Sequence, residues 1–440
     1  MAKITWGDSP PFEPAKDCKY FKGDEPCIFH KRDGKQCMCE HYKPIDKKIL
    51  IIKLGELGDV IRTTPILHRL KKDYPHSEIT WITKTPEFLP AIVDYRLAWN
   101  FSNVMKVQET RYDLLLNFDK EPESCALANK IQATIKKGFK LHEGKPHPID
   151  EDAYFKYLIG LDNTLTNVHT KSYPEQVFEI AGYEFQKERY LFDQHYKRGK
   201  KVIGFNTGAG IRWSTRLWDE ASWIELADLL MQHGYTVLLL GGESEHAKNK
   251  RIATATGALY LGHHELKTFV ALISFCDLLV TTVTMALHVA LALEKKVILF
   301  NNIFNPHEFE LYGLGEIIQP GVPCQGCFKN ECEIRFNGKT CMQLITPSFV
   351  ADRVEKLLNE ERAIGSETKH LGVESTESFM KKRITPENEI EWVMQFLQEK
   401  TVPVQKAQNR SFTVLKTAPL PDEEQVKITS SMPLDLKPKD

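Results

Sequence analysis

The sequence lacks several signatures that would assign its class at once. No G-x-x-x-x-G-K-[ST] loop occurs, which argues against a P-loop NTPase, and Gly55-x-x-Gly58 is not G-x-G-x-x-G, which weakens dinucleotide-dependent redox chemistry. Neither sign of charge dominates: 58 Lys and Arg face 59 Asp and Glu. That balance leaves no bulk field for nucleic acid, whose binding domains carry a basic surplus, and no nucleic-acid partner is expected. No apolar run approaches the roughly 20 residues that span a bilayer. The opening MAKITWGDSPPFEP has no apolar stretch of signal-peptide length. The expectation is a cytoplasmic chain, with contact at a membrane surface left open.

What is present is an ordinary globular composition, 42% hydrophobic and 27% charged, over 440 residues. That length exceeds what one core usually organises, so two domains with appendages are expected. Two segments begin alike, KKILIIKLGELGD from Lys47 and KKVIGFNTGAG from Lys200: a lysine pair, an apolar strand, then a glycine turn. Further strands are predicted at Ile79–Thr83, Leu114–Asn117, Thr236–Leu240, Leu278–Thr281 and Val297–Phe300, separated by helical patterns such as Trp223, Leu226, Ala227 and Leu230. Strands alternating with helices imply parallel sheets. The predicted fold is therefore α/β, two facing Rossmann-like domains with a parallel sheet each, plus Cys-rich metal-binding elements. The expected boundaries are 1–46 (Cys-rich), 47–198, 199–360, and 361–440 as a helix and disordered tail. Gly138 to Asn167, polar and containing Pro146 and Pro148, reads as a loop. In the tail, Glu389, Ile390, Trp392, Val393, Phe396 and Leu397 allow one helix.

The candidate chemistry gathers at strand ends, where open α/β sheets hold ligands. After the strand Ile49–Ile52, the period changes so that Ile66, Leu67, Leu70 and Tyr74 share one helical face. Asp59 thus falls at a strand-to-helix turn, where it could cap the helix or take a proton from a substrate hydroxyl. The second turn, NTGAGIRWSTRLW, offers Thr207, Gly208, Ala209 and Gly210 for close backbone approach, hydroxyls at Ser214 and Thr215, and a cation at Arg216 before a helix starting near Trp218 or Asp219. Donors, a cation and a helix start suit a phosphate or diphosphate. Glu243 follows Gly241-Gly242, where an acid can accept from ribose hydroxyls or begin a helix. Thr284, Met285 and His288 stand near another helix start.

Eight of the ten cysteines form two quartets, Cys18, Cys27, Cys37 and Cys39 before the first strand and Cys324, Cys327, Cys332 and Cys341 after the last. In a large chain such quartets suggest metal ligation more than disulfides. The C-x2-C-x4-C-x8-C set, with bends at Gly326 and Gly338, is the stronger signal; the N-terminal set is looser. Cys125 and Cys276 sit in apolar contexts and are expected in the core.

Taken in order, the blocks LGELGDVIRTTPILHRLKKDYP, GFNTGAGIRWSTRLW, LLLGGESEHAKNKRIA and TVTMALHVALAL resemble those of the glycosyltransferase family 9 heptosyltransferases, over roughly Lys48 to Leu357. The resemblance implies a GT-B fold and inverting transfer of a heptose-type sugar from an ADP-linked donor to a lipopolysaccharide core or other glycan or lipid-linked acceptor, in a cytoplasmic enzyme open to peripheral contact with the inner membrane. It places the family's base on Asp59, its phosphate-contacting cation on Arg216, its ribose-contacting acid on Glu243, and its last-block histidine on His288. Where the family carries Asp-Thr-Gly, this chain has Val283, Thr284 and Met285. That loss keeps a second reading open, a nucleotide-sugar-binding scaffold without turnover. The C-terminal quartet is similar to the iron finger of the autotransporter heptosyltransferases, which adds iron to zinc as the expected structural metal and a polypeptide to the acceptors. With Arg216 and backbone N–H groups available for the diphosphate, no catalytic metal is expected.

Overall fold

Two apolar runs behind paired lysines become the middle strands of two separate sheets. The computed structural model describes residues 13–194, 199, 201–364, 390–391, 394–395 and 397–398. Ahead of the first sheet lies one short helix, α1 (Ile28–Asp33). Then come β1 (Lys48–Ile52), α2 (Leu57–Ile61), α3 (Ile66–Asp73), β2 (Glu78–Thr83), β3 (Tyr95–Ala98), α4 (Phe101–Glu109), β4 (Arg111–Asn117), α5 (Pro122–Lys130), β5 (Gln132–His142) and β6 (Lys145–Pro148). The sheet order is β3-β2-β1-β4-β5-β6. Ile49 pairs in parallel with Ile79 on one side and Leu114 on the other. Ile49 to Ile52 are wholly buried, as a strand covered on both faces must be.

Helices α6 (Tyr154–Ile159), α7 (Asn163–Val168) and α8 (Tyr173–Ile180) lead towards the second sheet. The last is set by a capping box between Ser172 and Glu175, with Pro174 in its first turn. The second lobe holds β7 (Val202–Asn206), α9 (Glu220–Gln232), β8 (Thr236–Leu240), α10 (His246–Thr256), α11 (Leu266–Phe275), β9 (Leu278–Thr282), α12 (Met285–Ala292), β10 (Lys296–Phe300), β11 (Gly315–Ile318) and α13 (Pro347–Ile364), with sheet order β11-β10-β9-β7-β8 and every pairing parallel. Asp219 caps α9 by accepting from the Ser222 amide at 3.0 Å, close to where the sequence places that helix start. Cys125 and Cys276 are buried.

The stretch from Gly138 to Asn167 is not a loop. It closes the first sheet with the antiparallel pair β5 and β6, turning at Glu143-Gly144, both with positive φ (47° and 76°). Pro146 and Pro148 mislead because proline usually breaks a ladder, yet an edge strand tolerates it. Of the tail, Ile390, Met394 and Leu397 pack into the second lobe's core, while Glu389, Trp392, Val393 and Phe396 lie outside the described residues. Among the described residues no helix is long and apolar enough to cross a membrane.

Candidate active site

In each sheet the chain reverses its winding between two neighbouring strands, β1 and β4 in the first, β7 and β9 in the second. The carboxyl ends of such a pair open a crevice. Asp59 and Asp119 follow the first pair, and the Thr207–Gly210 turn and Thr284 follow the second. The candidate residues therefore lie where the topology, independently of any motif, expects a ligand.

Helix α2 buries Leu57, Gly58, Val60 and Ile61 and leaves Asp59 as its half-exposed residue, 37% accessible at the side chain. Asp59 caps nothing: the N-cap is Glu56, without a side-chain cap bond. Its carboxylate instead meets Arg62 Nη2 at 2.7 Å and Lys53 Nζ at 3.8 Å. Burial alone would favour the neutral acid, but Arg62 and Lys53 outweigh it and hold the group ionised, well below the usual carboxylate range. Asp119 shapes the loop beneath, pairing with Lys53 and accepting from the Leu54 and Gly55 amides. Arg62 lies 3.5 Å over the Tyr173 ring, and Lys156 sits 4.9 Å from the same ring while donating to Gln176 at 2.6 Å. Burial pushes Lys156 down to about 8, against the pull of Glu308.

Helix α2 meets α12 across the seam between the lobes, and Leu57 and Ile61 join the core cluster built on the second sheet. The packing is close enough that a Cβ on Gly58 would stand 2.9 Å from His288 Cδ2 and 3.3 Å from Met285 Cα. His288 faces Asp59 and Arg62 across this seam; burial, reinforced by Arg62, holds it neutral with a pKa of about 3. Tyr190 Oη stands 3.5 Å from its Nδ1.

In the second lobe, Asn206 Nδ2 donates to Thr281 (2.9 Å) and Thr284 (3.0 Å), and Thr282 donates to the Gly208 carbonyl at 3.0 Å, which ties the glycine turn to the start of α12. Arg216 is only 7% exposed. Its two terminal nitrogens donate to the carbonyls of Ala209 and Val283, its Nε is buried without a partner, and burial lowers its pKa to about 10. The guanidinium thus stitches the two ligand-side loops together.

Three sequence expectations shift. Ser214 and Thr215 turn away from the glycine turn: their hydroxyls donate to the carbonyls of Asn330 (2.9 Å) and Lys329 (2.5 Å), because the 3-10 stretch Ile211–Arg216 folds back over the cysteine loop. Glu243 is exposed, whereas Glu245 accepts from the Gly242 amide at 3.0 Å and fills the space that a Cβ on Gly208 would need, 2.7 Å from its Cδ. The acid at the glycine turn is therefore Glu245, two residues on, since Glu243 is the first residue of a 3-10 turn pointing outward. The cysteine quartets do not form ready ion sites: among the described residues no three His, Cys, Asp or Glu side chains stand within reach of a common ion. Still, Cys324, Cys327, Cys332 and Cys341 all line one cavity of about 350 Å³, and the Cys324 thiol, pushed up by burial, also feels the other three.

Residues the sequence reading missed are Lys53, Arg62, Asp119, Lys156, Glu245, Lys248 and Asn249. The last two brace the glycine turn, Lys248 donating to the Thr207 carbonyl at 2.8 Å and Asn249 accepting from the Thr207 hydroxyl at 2.6 Å. Lys53 and Arg62 flank Asp59 in KLGELGDVIR, and Asp119 ends the apolar run LLLNFD, so charge at a strand exit was a usable signal. Lys156 carried none.

A family model described as glycosyltransferase family 9 (heptosyltransferase) matches residues 102–335. The lipooligosaccharide heptosyltransferase 2 of Campylobacter jejuni is 22% identical over 344 residues, covering 70% of this chain and 99% of that protein. Among solved structures, the ADP-heptose lps heptosyltransferase II of E. coli aligns with a TM-score of 0.52 at 18% identity over 72% of this chain and 99% of that one. The E. coli heptosyltransferase WaaC with ADP gives 0.52 at 16% identity, over 70% and 99%.

Proposed function

The chain belongs to glycosyltransferase family 9, the heptosyltransferases, and from that premise we propose that it moves a heptose-type sugar, with inversion, from an ADP-linked donor to a glycan hydroxyl of the lipopolysaccharide core class. The observation that carries this reading is an ionised, half-exposed Asp59 on α2, set directly against α12 of the opposite lobe. Asp59 accepts the acceptor hydroxyl's proton as that oxygen attacks the anomeric carbon, because an alcohol is a poor nucleophile without a base. The nucleotide lies along Thr207–Gly210, with Glu245 beneath the turn as the acid nearest the ribose. Negative charge growing on the departing diphosphate is met by backbone N–H groups of the glycine turn and of the α12 start. Arg216 acts by holding those two loops in register. The similarity to a protein solved with ADP supports an adenine nucleotide as the leaving group. Work at a membrane surface fits acceptors that are lipid-linked.

The C-terminal quartet fits a structural metal in one respect, that its four cysteines all line one cavity. Cys324, Cys327, Cys332 and Cys341 would hold iron or zinc there, and the ion would fix the loop to which Ser214 and Thr215 donate. It takes no part in the transfer.

The test is release of ADP from ADP-heptose in the presence of an inner-core acceptor. Asp59→Asn should keep the fold and lower turnover by roughly 10²- to 10⁴-fold, the usual worth of acid–base assistance. Near-normal transfer by that variant refutes the role. A second reading, binding without turnover, is favoured by Val283, whose side chain packs against the second lobe's core where the family carries an acid. Tight ADP binding with no ADP release from any donor and acceptor pair would establish it.

A further inference from the structure

We propose that residues 13–46 form a metal–thiolate module whose ligands are Cys18, Cys27, Cys37 and Cys39. The proposal is independent of the transferase reading. All four thiols are free and all four line one cavity of about 700 Å³, set apart from the seam between the lobes. The segment has no core that could otherwise hold its shape. Its one helix, α1, buries no residue, and of its apolar side chains only Ala15 is buried. A stretch of this length normally needs a disulfide or a metal to stay folded. Yet it doubles back closely: Cys18 bridges Pro44, the Ile45 amide donates to the Asp17 carbonyl at 2.8 Å, and the Lys19 amide donates to the Lys43 carbonyl at 2.8 Å.

Local geometry sets all four cysteines on the lining of that cavity. Between Cys37 and Cys39, Met38 adopts φ 64° and throws its own side chain into solvent, 69% exposed. A left-handed methionine is unfavourable, and here it makes the tight turn that keeps Cys37 and Cys39 on one cavity wall. Phe29 stacks on His41 at 3.9 Å and meets Tyr20 edge-on at 4.8 Å, which walls the cavity with rings. No three of these sulfurs stand within reach of a common ion as they are placed. Binding therefore draws them inward: four thiols lose their protons to water, four metal–sulfur bonds form, and the binding free energy orders the segment. A single zinc and an iron–sulfur cluster share this ligand chemistry.

The module is structural. It docks through Lys19 on Asp94 (2.5 Å) and through the Asp46 amide on His76 (3.4 Å), and Cys18 and Phe21 share a second cavity with Lys48, Glu78 and Tyr95. Those residues mark the starting ends of β1 to β3, the opposite end of the strands from Asp59.

The full chain, purified without chelator, tests this by metal analysis and acid-labile sulfide assay, comparing the parent with Cys37→Ser/Cys39→Ser and with Cys327→Ser/Cys332→Ser. The N-terminal pair should lose one site's content, one zinc or the iron and sulfide of one cluster, while ADP binding persists. Undiminished metal in that variant overturns the proposal. Should the variant fail to fold, thiol alkylation of the native parent read by mass spectrometry decides the matter. Protection of these four cysteines that is lost on chelation supports the module, and immediate labelling of all four without chelator refutes it.

Discussion

Asp59 and Lys156 titrate in opposite directions, and together they fix how the enzyme should respond to pH. The folded pKa of Asp59 is depressed, so its ion pairs stabilise the fold above the ordinary carboxylate range and that contribution is lost as pH falls through the folded value. No acid limb from Asp59 is expected in the physiological range. Lys156 has a folded pKa of about 8 against 10.5 unperturbed, so the folded state binds fewer protons than the unfolded one between these values and its contribution to stability rises with pH there. Function runs the other way. Lys156 and Arg62 both lie over the Tyr173 ring, 4.9 and 3.5 Å from its centroid, and the prediction is that this pair of cations meets an anionic group of the acceptor. One pH unit above 8, about a tenth of it stays charged, so kcat/KM for acceptor should fall roughly tenfold by pH 9. Lys156→Met should flatten that limb, and an unchanged profile would remove Lys156 from acceptor binding. A second residue-scale prediction separates two acids. Glu245→Gln should weaken ADP binding by several-fold in calorimetry, because its carboxylate lies under Gly208, whereas Glu243→Gln should change it little. The reverse order would restore the assignment read from sequence. The sequence could not separate the two, because Glu243 and Glu245 both follow the same glycine pair, and it is the 3-10 turn that leaves Glu243 exposed and sets Glu245 against Gly208.

At the scale of elements, what was legible was what repeats with a period. The buried strands β1, β2, β4 and β7 to β10 announce themselves as short apolar runs, and α9 by its capping aspartate. The hairpin of β5 and β6 was hidden by Pro146 and Pro148, and the pairing of β5 with β4 rests on a contact distant in sequence. Gly138 (φ 96°) lets β5 lie so near β4 that a Cβ would meet the Asn117 carbonyl at 1.9 Å. Nothing local encodes that approach. Equally hidden was the work of Gly58, which reads as a turn glycine but sits in α2 and permits its contact with α12. Gly58→Ala places a methyl against His288 and the α12 backbone, and the backbone cannot yield as a side-chain tip could. The expected result is a turnover reduced at least tenfold with ADP affinity within about twofold of the parent, since one step in ten is ~1.4 kcal/mol and overpacking costs about 1–3 kcal/mol. Equal loss of ADP binding would mean that the second lobe itself is disturbed, not the seam.

The whole molecule combines two sheets whose switch points face one another with a core that does not respect the division between them. The largest described cluster takes Leu57, Ile61 and Phe88 from the first lobe, most of α11 and α12 from the second, and Met394 and Leu397 from near the end of the compact unit Met1–Thr401. The two-lobed plan was readable from the duplicated lysine–strand–glycine opening. The return of the chain to the second lobe was not, because a few apolar residues in a proline-bearing stretch carry no periodic signal strong enough to name their partner. This packing separates two truncations. Ending the chain after Thr401 should leave the melting temperature within about 1 °C of the parent, because the compact unit is intact. Ending it after Ile364 removes Met394 and Leu397, each worth roughly 1.5–3 kcal/mol of burial before the cost of ordering the segment is set against it. A net loss of about 1–3 kcal/mol corresponds to a fall of ~2–9 °C for a large domain. Differential scanning calorimetry checks this, and an equal melting temperature for the two truncations would show that residues 390–398 add nothing to the core they touch.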